Sequence, residues 1–170
     1  MKNLVKLNTR RFAINLSTAG IFLAYAAEST AGTRPTSGYT RITGAKSTPS
    51  LNPSPETLET TTLDETEYKT YIDGLKDLGG ALEFTFNLTE QLITEWTALM
   101  TAYETAKADQ KSIWFTIVIP GLTNSFYFTG NPSEMGLPET SVSSVLEITN
   151  YITPTNAPVA YAKPTEYTSI

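Results

Sequence analysis

The chain has 170 residues, enough for one domain with a sizeable core, and it contains no Cys and no His. That removes the cysteine nucleophile, the histidine base, the usual zinc sites and any disulfide framework, and it points away from an enzyme. A net charge of −5 argues against a nucleic-acid-binding groove, which needs clustered Lys and Arg.

Residues 1–18 read as an N-terminal arm. They carry Lys2, Lys6, Arg10 and Arg11 together with Leu4, Val5, Leu7 and Phe12, while the rest of the chain is acidic. Such asymmetry suggests contact with an acidic surface, and a solvated terminus is the plainer alternative. The first thirty residues also have the outline of a signal peptide, with Ala24-Tyr25-Ala26 in the place of a cleavage site. Asn15, Ser17 and Thr18 interrupt its apolar run, and no stretch approaches the ~20 apolar residues of a membrane span.

Ile21–Ala27 is a first strand. Ser29–Ser37 is a turn, and Tyr39–Ser47 is read as one short second strand. Thr48–Pro55, with three prolines, is an extended connector. Glu56–Thr62 is the next strand. From Thr60 to Gly80 comes a long inter-strand loop without strand alternation, yet it holds Leu63, Tyr68, Tyr71, Ile72, Leu75 and Leu78. A connection that long is functional or disordered, and a disordered one lacks large apolar groups. These six side chains are therefore expected to dock on something.

Ala81–Asn87 alternates cleanly, with Leu82, Phe84 and Phe86 on one face and Glu83, Thr85 and Asn87 on the other. Asn87 or Thr89 caps a helix over about 89–107, and Asn87 with Glu90 has the capping-box spacing. Leu92, Trp96, Leu99, Tyr103 and Ala106 form its apolar stripe, widened by Ile93 and Met100; this is core packing. Ser112–Ile119 and Leu122–Gly130 make a hairpin, and Asn131–Glu139 is loop. Val142–Thr153 is the last strand, with Glu147 and Thr149 on its polar face. Residues 154–170, with three prolines, read as a C-terminal arm. The sum is a mainly β fold, a two-sheet sandwich or open barrel with one flanking helix, in a single domain spanning 1–170.

No chemical site stands out. Glu56, Glu59, Asp64, Glu65 and Glu67 cluster, but no D-x-D-x-D-G loop is present, and no metal or cofactor is expected. Gly79-Gly80 lacks the Lys and Ser/Thr of a phosphate loop and is a tight turn.

Thr60-Thr61-Thr62-Leu63-Asp64-Glu65-Thr66, then Tyr71-Ile72-Asp73-Gly74-Leu75-Lys76-Asp77-Leu78-Gly79-Gly80, then Leu82-Glu83-Phe84-Thr85-Phe86, resembles the major tail tube proteins of long-tailed bacteriophages, which are similar in fold to type VI secretion tube proteins. The order of the hairpin Trp114–Phe128 and the late strand fits as well, so the resemblance covers about residues 21–153. The two arms are longer than the family pattern. The resemblance implies a virion structural protein assembled in the host cytoplasm. Its hexameric rings stack into a tail tube through the long loop. The implied partners are other copies of the chain, the tape measure protein, the tail terminator and the distal tail proteins, and no membrane. Double-stranded DNA would pass without specific binding. The resemblance implies four wall strands per subunit; at ~4.8 Å apart and ~40° tilt, six subunits would give a ring about 48 Å across at the backbone and a channel of about 38 Å. B-DNA, about 20 Å across, fits. Six copies at −5 each bring about −30 per ring, which repels phosphate. Glu83, Thr85, Asn87, Glu147 and Thr149 are the expected lumen residues. Two other readings remain at this point. One is a secreted β-sandwich adhesin or carbohydrate-binding module; the other is a hydrolase working with two carboxylates.

Overall fold

The computed structural model describes residues 18–170. The N-terminal arm, apart from Thr18, lies outside the described residues. Among them are eleven strands and one helix: β1 (Phe22–Ala27), β2 (Tyr39–Ile42), β3 (Ala45–Ser47), β4 (Ser54–Glu59), β5 (Tyr71–Asp77), β6 (Leu82–Asn87), α1 (Glu90–Ala108), β7 (Ile113–Val118), β8 (Asn124–Pro132), β9 (Glu147–Pro154), β10 (Val159–Ala162) and β11 (Tyr167–Thr168). No helix among the described residues is long and apolar enough to cross a membrane.

Nine strands form one curled half-barrel in the order β11-β2-β1-β7-β8-β9-β6-β3, with β10 also on β8; β4 and β5 form a separate two-stranded sheet. The fold is mainly β with one helix, as the alternation and the single apolar stripe require. Of the two architectures expected, the open barrel is the one adopted. The helix fills the concave side. Leu92, Trp96, Leu99 and Ala106 meet Leu23, Tyr25, Phe84, Phe86, Phe115, Ile148 and Ile152 in the main core. Full burial of each such side chain contributes ~1.5–3 kcal/mol.

The helix ends obey local rules. Thr89, not Asn87, is the N-cap, and its side chain accepts the Leu92 N–H at 3.1 Å. At the other end Gln110 has φ 57°, while the Gln110 and Lys111 N–H groups reach back to Lys107 and Ala106 carbonyls. Ile93 is exposed and does not widen the stripe. A carboxylate stands within the buried face instead. Glu95 is fully buried and accepts the Thr43 N–H at 2.7 Å, the Thr43 hydroxyl and the Gln91 amide. It holds the bend where β2 gives way to β3.

That bend corrects the single strand expected over Tyr39–Ser47. Gly44, at φ +76°, breaks it, so β2 pairs with β1 while β3 crosses to pair with β6. The last strand begins at Glu147 rather than Val142, and Val142 is almost wholly exposed in a loop. The C-terminal arm is also corrected: residues 154–170 fold onto their own subunit. β9 and β10 run along the same edge of β8, interrupted at 155–158, where the Asn156 side chain accepts the Thr129 N–H at 2.8 Å. β11 then adds parallel to β2, and Tyr167 packs edge-on to Phe22. This segment covers a second, smaller core of Ala24, Ala26, Tyr39, Trp114 and Tyr127 on the face away from the helix. Ala24-Tyr25-Ala26, the outline of a cleavage site, is thus buried in the middle of β1.

Gly130 sits where β8 hands over from β10 to β9. A Cβ there would lie 2.8 Å from Ile152 Cγ2 and 3.0 Å from the Thr153 carbonyl oxygen. Only glycine lets the two strands approach so closely at the turn of the half-barrel.

Candidate functional site

Two surfaces carry the residues singled out above. The first is the segment expected as a loop over 60–80. Its second half is a strand: Tyr71–Asp77 is β5, paired antiparallel with β4 in the register Glu59↔Tyr71, Leu58↔Ile72, Thr57↔Asp73 and Pro55↔Lys76. The register shift puts Gly74 and Leu75 opposite Glu56. A side chain at 74 would come within 3.2 Å of Glu56 Cβ and its carbonyl oxygen, so a larger residue would have to push the bulge apart by a few tenths of an ångström. Around the tip, the Thr60 N–H bonds to the Thr70 carbonyl at 2.8 Å, and Lys69 pairs with Glu59 at 3.0 Å. The element is therefore a built hairpin with its own hydrogen-bond ladder.

What it lacks is a core. Every residue of β4 is exposed. Leu63 is fully exposed, Leu75 is 85% and Tyr68 is 81% exposed, and Tyr71 and Ile72 are about half exposed; Leu78 alone is partly buried. Leu58 joins this set, because its partner Ile72 faces the same way across the ladder. Sequence reading missed Leu58, since the strand around it shows no apolar alternation. Isolated two-stranded hairpins are marginal in water. One that also exposes six large apolar groups is a surface awaiting cover.

The second surface is the outward face of β6 and β9. The five polar residues expected to face a channel do fall together: Thr85 lies opposite Thr149 and Asn87 opposite Glu147, while Glu83 lies opposite Tyr151. Glu83 is exposed and the other four are partly buried. Their inward neighbours Phe84, Phe86, Ile148 and Ile152 are in the core, so the pleat alone sets this patch. Sequence reading missed two members. Tyr151 is exposed beside Glu83, and Lys46 of β3 forms an ion pair with Glu147. The alternation of β9 implied Tyr151; Lys46 was hidden by the unexpected crossing of β3. Residues 133–146 rise over the same face, and a hollow of ≈ 640 Å³ separates Thr85 and Thr149 from Leu137, Pro138 and Val145. Leu137, Val142, Val145 and Leu146 are exposed on that loop.

One carboxylate is unusual. Glu28, 5% exposed, accepts hydrogen bonds from Trp114 Nε1 at 2.8 Å, the Gly32 N–H at 2.9 Å and the Ser112 N–H at 3.1 Å. Burial pushes its pKa up, but the three donors together outweigh burial and leave it below the ordinary value. Through these bonds it ties the Ser29–Gly38 turn to β7, as a structural anchor. Among the described residues no three His, Cys, Asp or Glu side chains gather as metal ligands.

The fold has known counterparts. The chain resembles one in the cryo-EM structure of the anti-feeding prophage (AFP) baseplate, 6-fold symmetrised, with a TM-score of 0.60 and 9% identity, over 89% of this chain and 98% of that one. It also resembles a chain in the cryo-EM structure of the anti-feeding prophage cap, the AFP tube terminating cap. There the TM-score is 0.54 and the identity 11%, over 93% of this chain and 99% of that one. No protein-family model matches the sequence, and no curated protein matches it.

Proposed function

We propose that the chain is a non-catalytic structural subunit of a phage-like tail, and within the tail the subunit of the tube. In this reading six copies close into a ring, rings stack, and the tube encloses the tape measure protein and later conducts double-stranded DNA. Tail terminator and distal tail proteins would cap its ends. The particle would be assembled in the host cytoplasm and the chain would end up in the virion. The observation that carries the reading is the β4–β5 hairpin, an ordered element with an apolar surface and no core of its own. On a fold shared almost end to end with chains of the baseplate and the tube terminating cap of the anti-feeding prophage, such a hairpin suits contact with a neighbouring subunit or ring. Among the described residues the half-barrel ends at β3 and β11 with no further strand, which supports the same reading. Unpaired edges invite pairing with another chain, and closed symmetry would use them up. The patch of Glu83, Thr85, Asn87, Glu147 and Thr149 would line the channel, narrowed by the 133–146 loop that rises over it.

Negative-stain electron microscopy of the purified full chain tests this reading. Six-fold rings, alone or stacked into hollow rods, are the expected result. A chain that stays monomeric at high concentration, with no rings on the grid, would overturn it.

A further inference from the structure

The hairpin has to be kept from indiscriminate contact before any assembly forms, and its charge indicates how. Residues 54–77 carry seven acidic side chains (Glu56, Glu59, Asp64, Glu65, Glu67, Asp73, Asp77) against Lys69 and Lys76, a net of −5. Lys69–Glu59 is the only ion pair in the hairpin among the described residues. A cover must therefore be apolar and basic at once.

The cations of the folded body are already engaged. Arg34 lies over the rings of Tyr127 and Tyr161, Arg41 over Phe22 and Lys107 over Tyr103. Lys46 pairs with Glu147, Lys111 with Asp109, and Lys163 donates to the Ile119 carbonyl. Apart from Lys76, which belongs to the hairpin itself, the remaining positive charge is in residues 1–17: Lys2, Lys6, Arg10 and Arg11, with no acidic residue among them. The same seventeen positions supply Leu4, Val5, Leu7, Phe12, Ile14 and Leu16. Both properties of the required cover occur together in one stretch of the chain.

That stretch joins the body at the right place. Thr18 lines one hollow with Lys46 and Thr48, and only residues 49–53 separate Thr48 from the foot of the hairpin at Ser54. Seventeen residues reach up to roughly 55–60 Å. The hairpin arms are roughly 20–25 Å long at ~3.4 Å per residue. The whole hairpin is within reach of its own N-terminus. A tether of this length sets an effective concentration in the millimolar range, well above that of a second copy in dilute solution.

We propose that in the dispersed subunit residues 1–17 dock on the acidic, apolar β4–β5 hairpin of the same chain and are displaced when a neighbouring subunit takes their place. The inference rests on reading the hairpin as a docking surface, but not on the tube in particular. It makes the N-terminal segment a strap that keeps the hairpin covered until a ring presents a stronger partner.

Hydrogen exchange of residues 54–77 in size-selected, dispersed subunits tests it. Three full-length chains are compared: the natural sequence; Lys2, Lys6, Arg10 and Arg11 all replaced by Glu; and Glu56, Asp64, Glu65 and Glu67 replaced by Gln, Asn, Gln and Gln. Exchange of β7 serves as the control for folding. The strap predicts hairpin protection in the natural chain that is unchanged on roughly tenfold dilution and lost, by roughly tenfold in exchange rate, in both variants. Equal exchange in all three chains would overturn it. Protection that falls with dilution would also overturn it, by moving the segment onto a second copy. Six-fold rings are scored separately, so a chain can form tubes without a strap or have a strap without forming tubes.

Discussion

Among single residues, Glu28 has the clearest testable consequence. Its carboxylate gathers three N–H donors in a nearly closed site, and charge-assisted bonds of this kind are each worth ~1.5–3 kcal/mol. Glu28→Gln removes the charge and turns one acceptor into a donor facing donors. The variant is expected to be less stable at pH 7 by about 2 kcal/mol, or several degrees in Tm. The sign of the pH dependence follows from the lowered folded pKa. Stability from Glu28 is complete above the ordinary carboxylate value of 4.5 and is lost as pH falls through its lower folded value. The gap in Tm between the natural chain and the variant should therefore hold from pH 7 to about 5 and shrink below 4.5. Thermal unfolding followed by circular dichroism across that range measures it, and a gap that does not change with pH would refute the account. None of this was legible in the sequence, where Glu28 is one acidic residue beside a turn. Two of its three donors come from 84 and 86 positions away.

Elements were legible in proportion to how local their causes are. β6, α1 and β7 declare themselves through period and caps, and the structure moves their ends by a residue or two. Most of the failures are elements whose partners are remote. β3 is three residues long and exists because Gly44 lets the chain cross to β6. β10 lies between Pro158 and Pro164 and β11 follows Pro164, and both are strands only because β8 and β2 offer them an edge. β5 looked like loop because its apolar residues follow neither strand nor helix period, and the bulge at Gly74 breaks the alternation further. The hairpin it builds carries a prediction of its own. Leu63, Tyr68 and Leu75 are exposed among the described residues, so changing all three to Ser should alter the stability of the folded body, residues 18–170, by no more than ~0.5 kcal/mol per site. In the proposed role the same triple variant should fail to form stacked rings, because the contact it loses lies between copies. Sedimentation of the variant beside the natural chain, with Tm as the control, separates the two effects. A variant that pellets normally would show that the hairpin is not the stacking contact.

At the scale of the whole molecule, charge is divided by sequence position and by face. Residues 18–170 hold all seventeen acidic side chains and eight of the twelve basic ones, leaving −9 on the body against +4 on residues 1–17. In a ring this arrangement matters most where DNA would pass. Glu147 and Lys46 largely cancel each other, so of the five expected channel residues Glu83 supplies the uncompensated charge. Reading from sequence gave Glu83 and Glu147 equal weight, because the crossing that brings Lys46 beside Glu147 was invisible. Six copies of Glu83→Lys change the charge of one ring by about twelve. If the patch lines the channel, phosphates then meet six lysines per ring instead of six carboxylates. Each phosphate neutralised adds about 0.9 to the slope of log affinity against log salt, so contact with most of one ring gives a slope near −5. Particles built with Glu83→Lys should hold their DNA back at low salt and release it as salt rises. Glu147→Gln, which frees Lys46, should do the same more weakly, and Thr153→Lys, farther along the outer side of β9, adds the same charge per ring as Glu147→Gln and provides a comparison at another position. Ejection kinetics measured across a salt series read all three. Retention that follows Glu83 and relaxes with salt assigns this face to the channel. Ejection as fast as that of the natural particle at every salt concentration assigns the face elsewhere, whatever the rings look like.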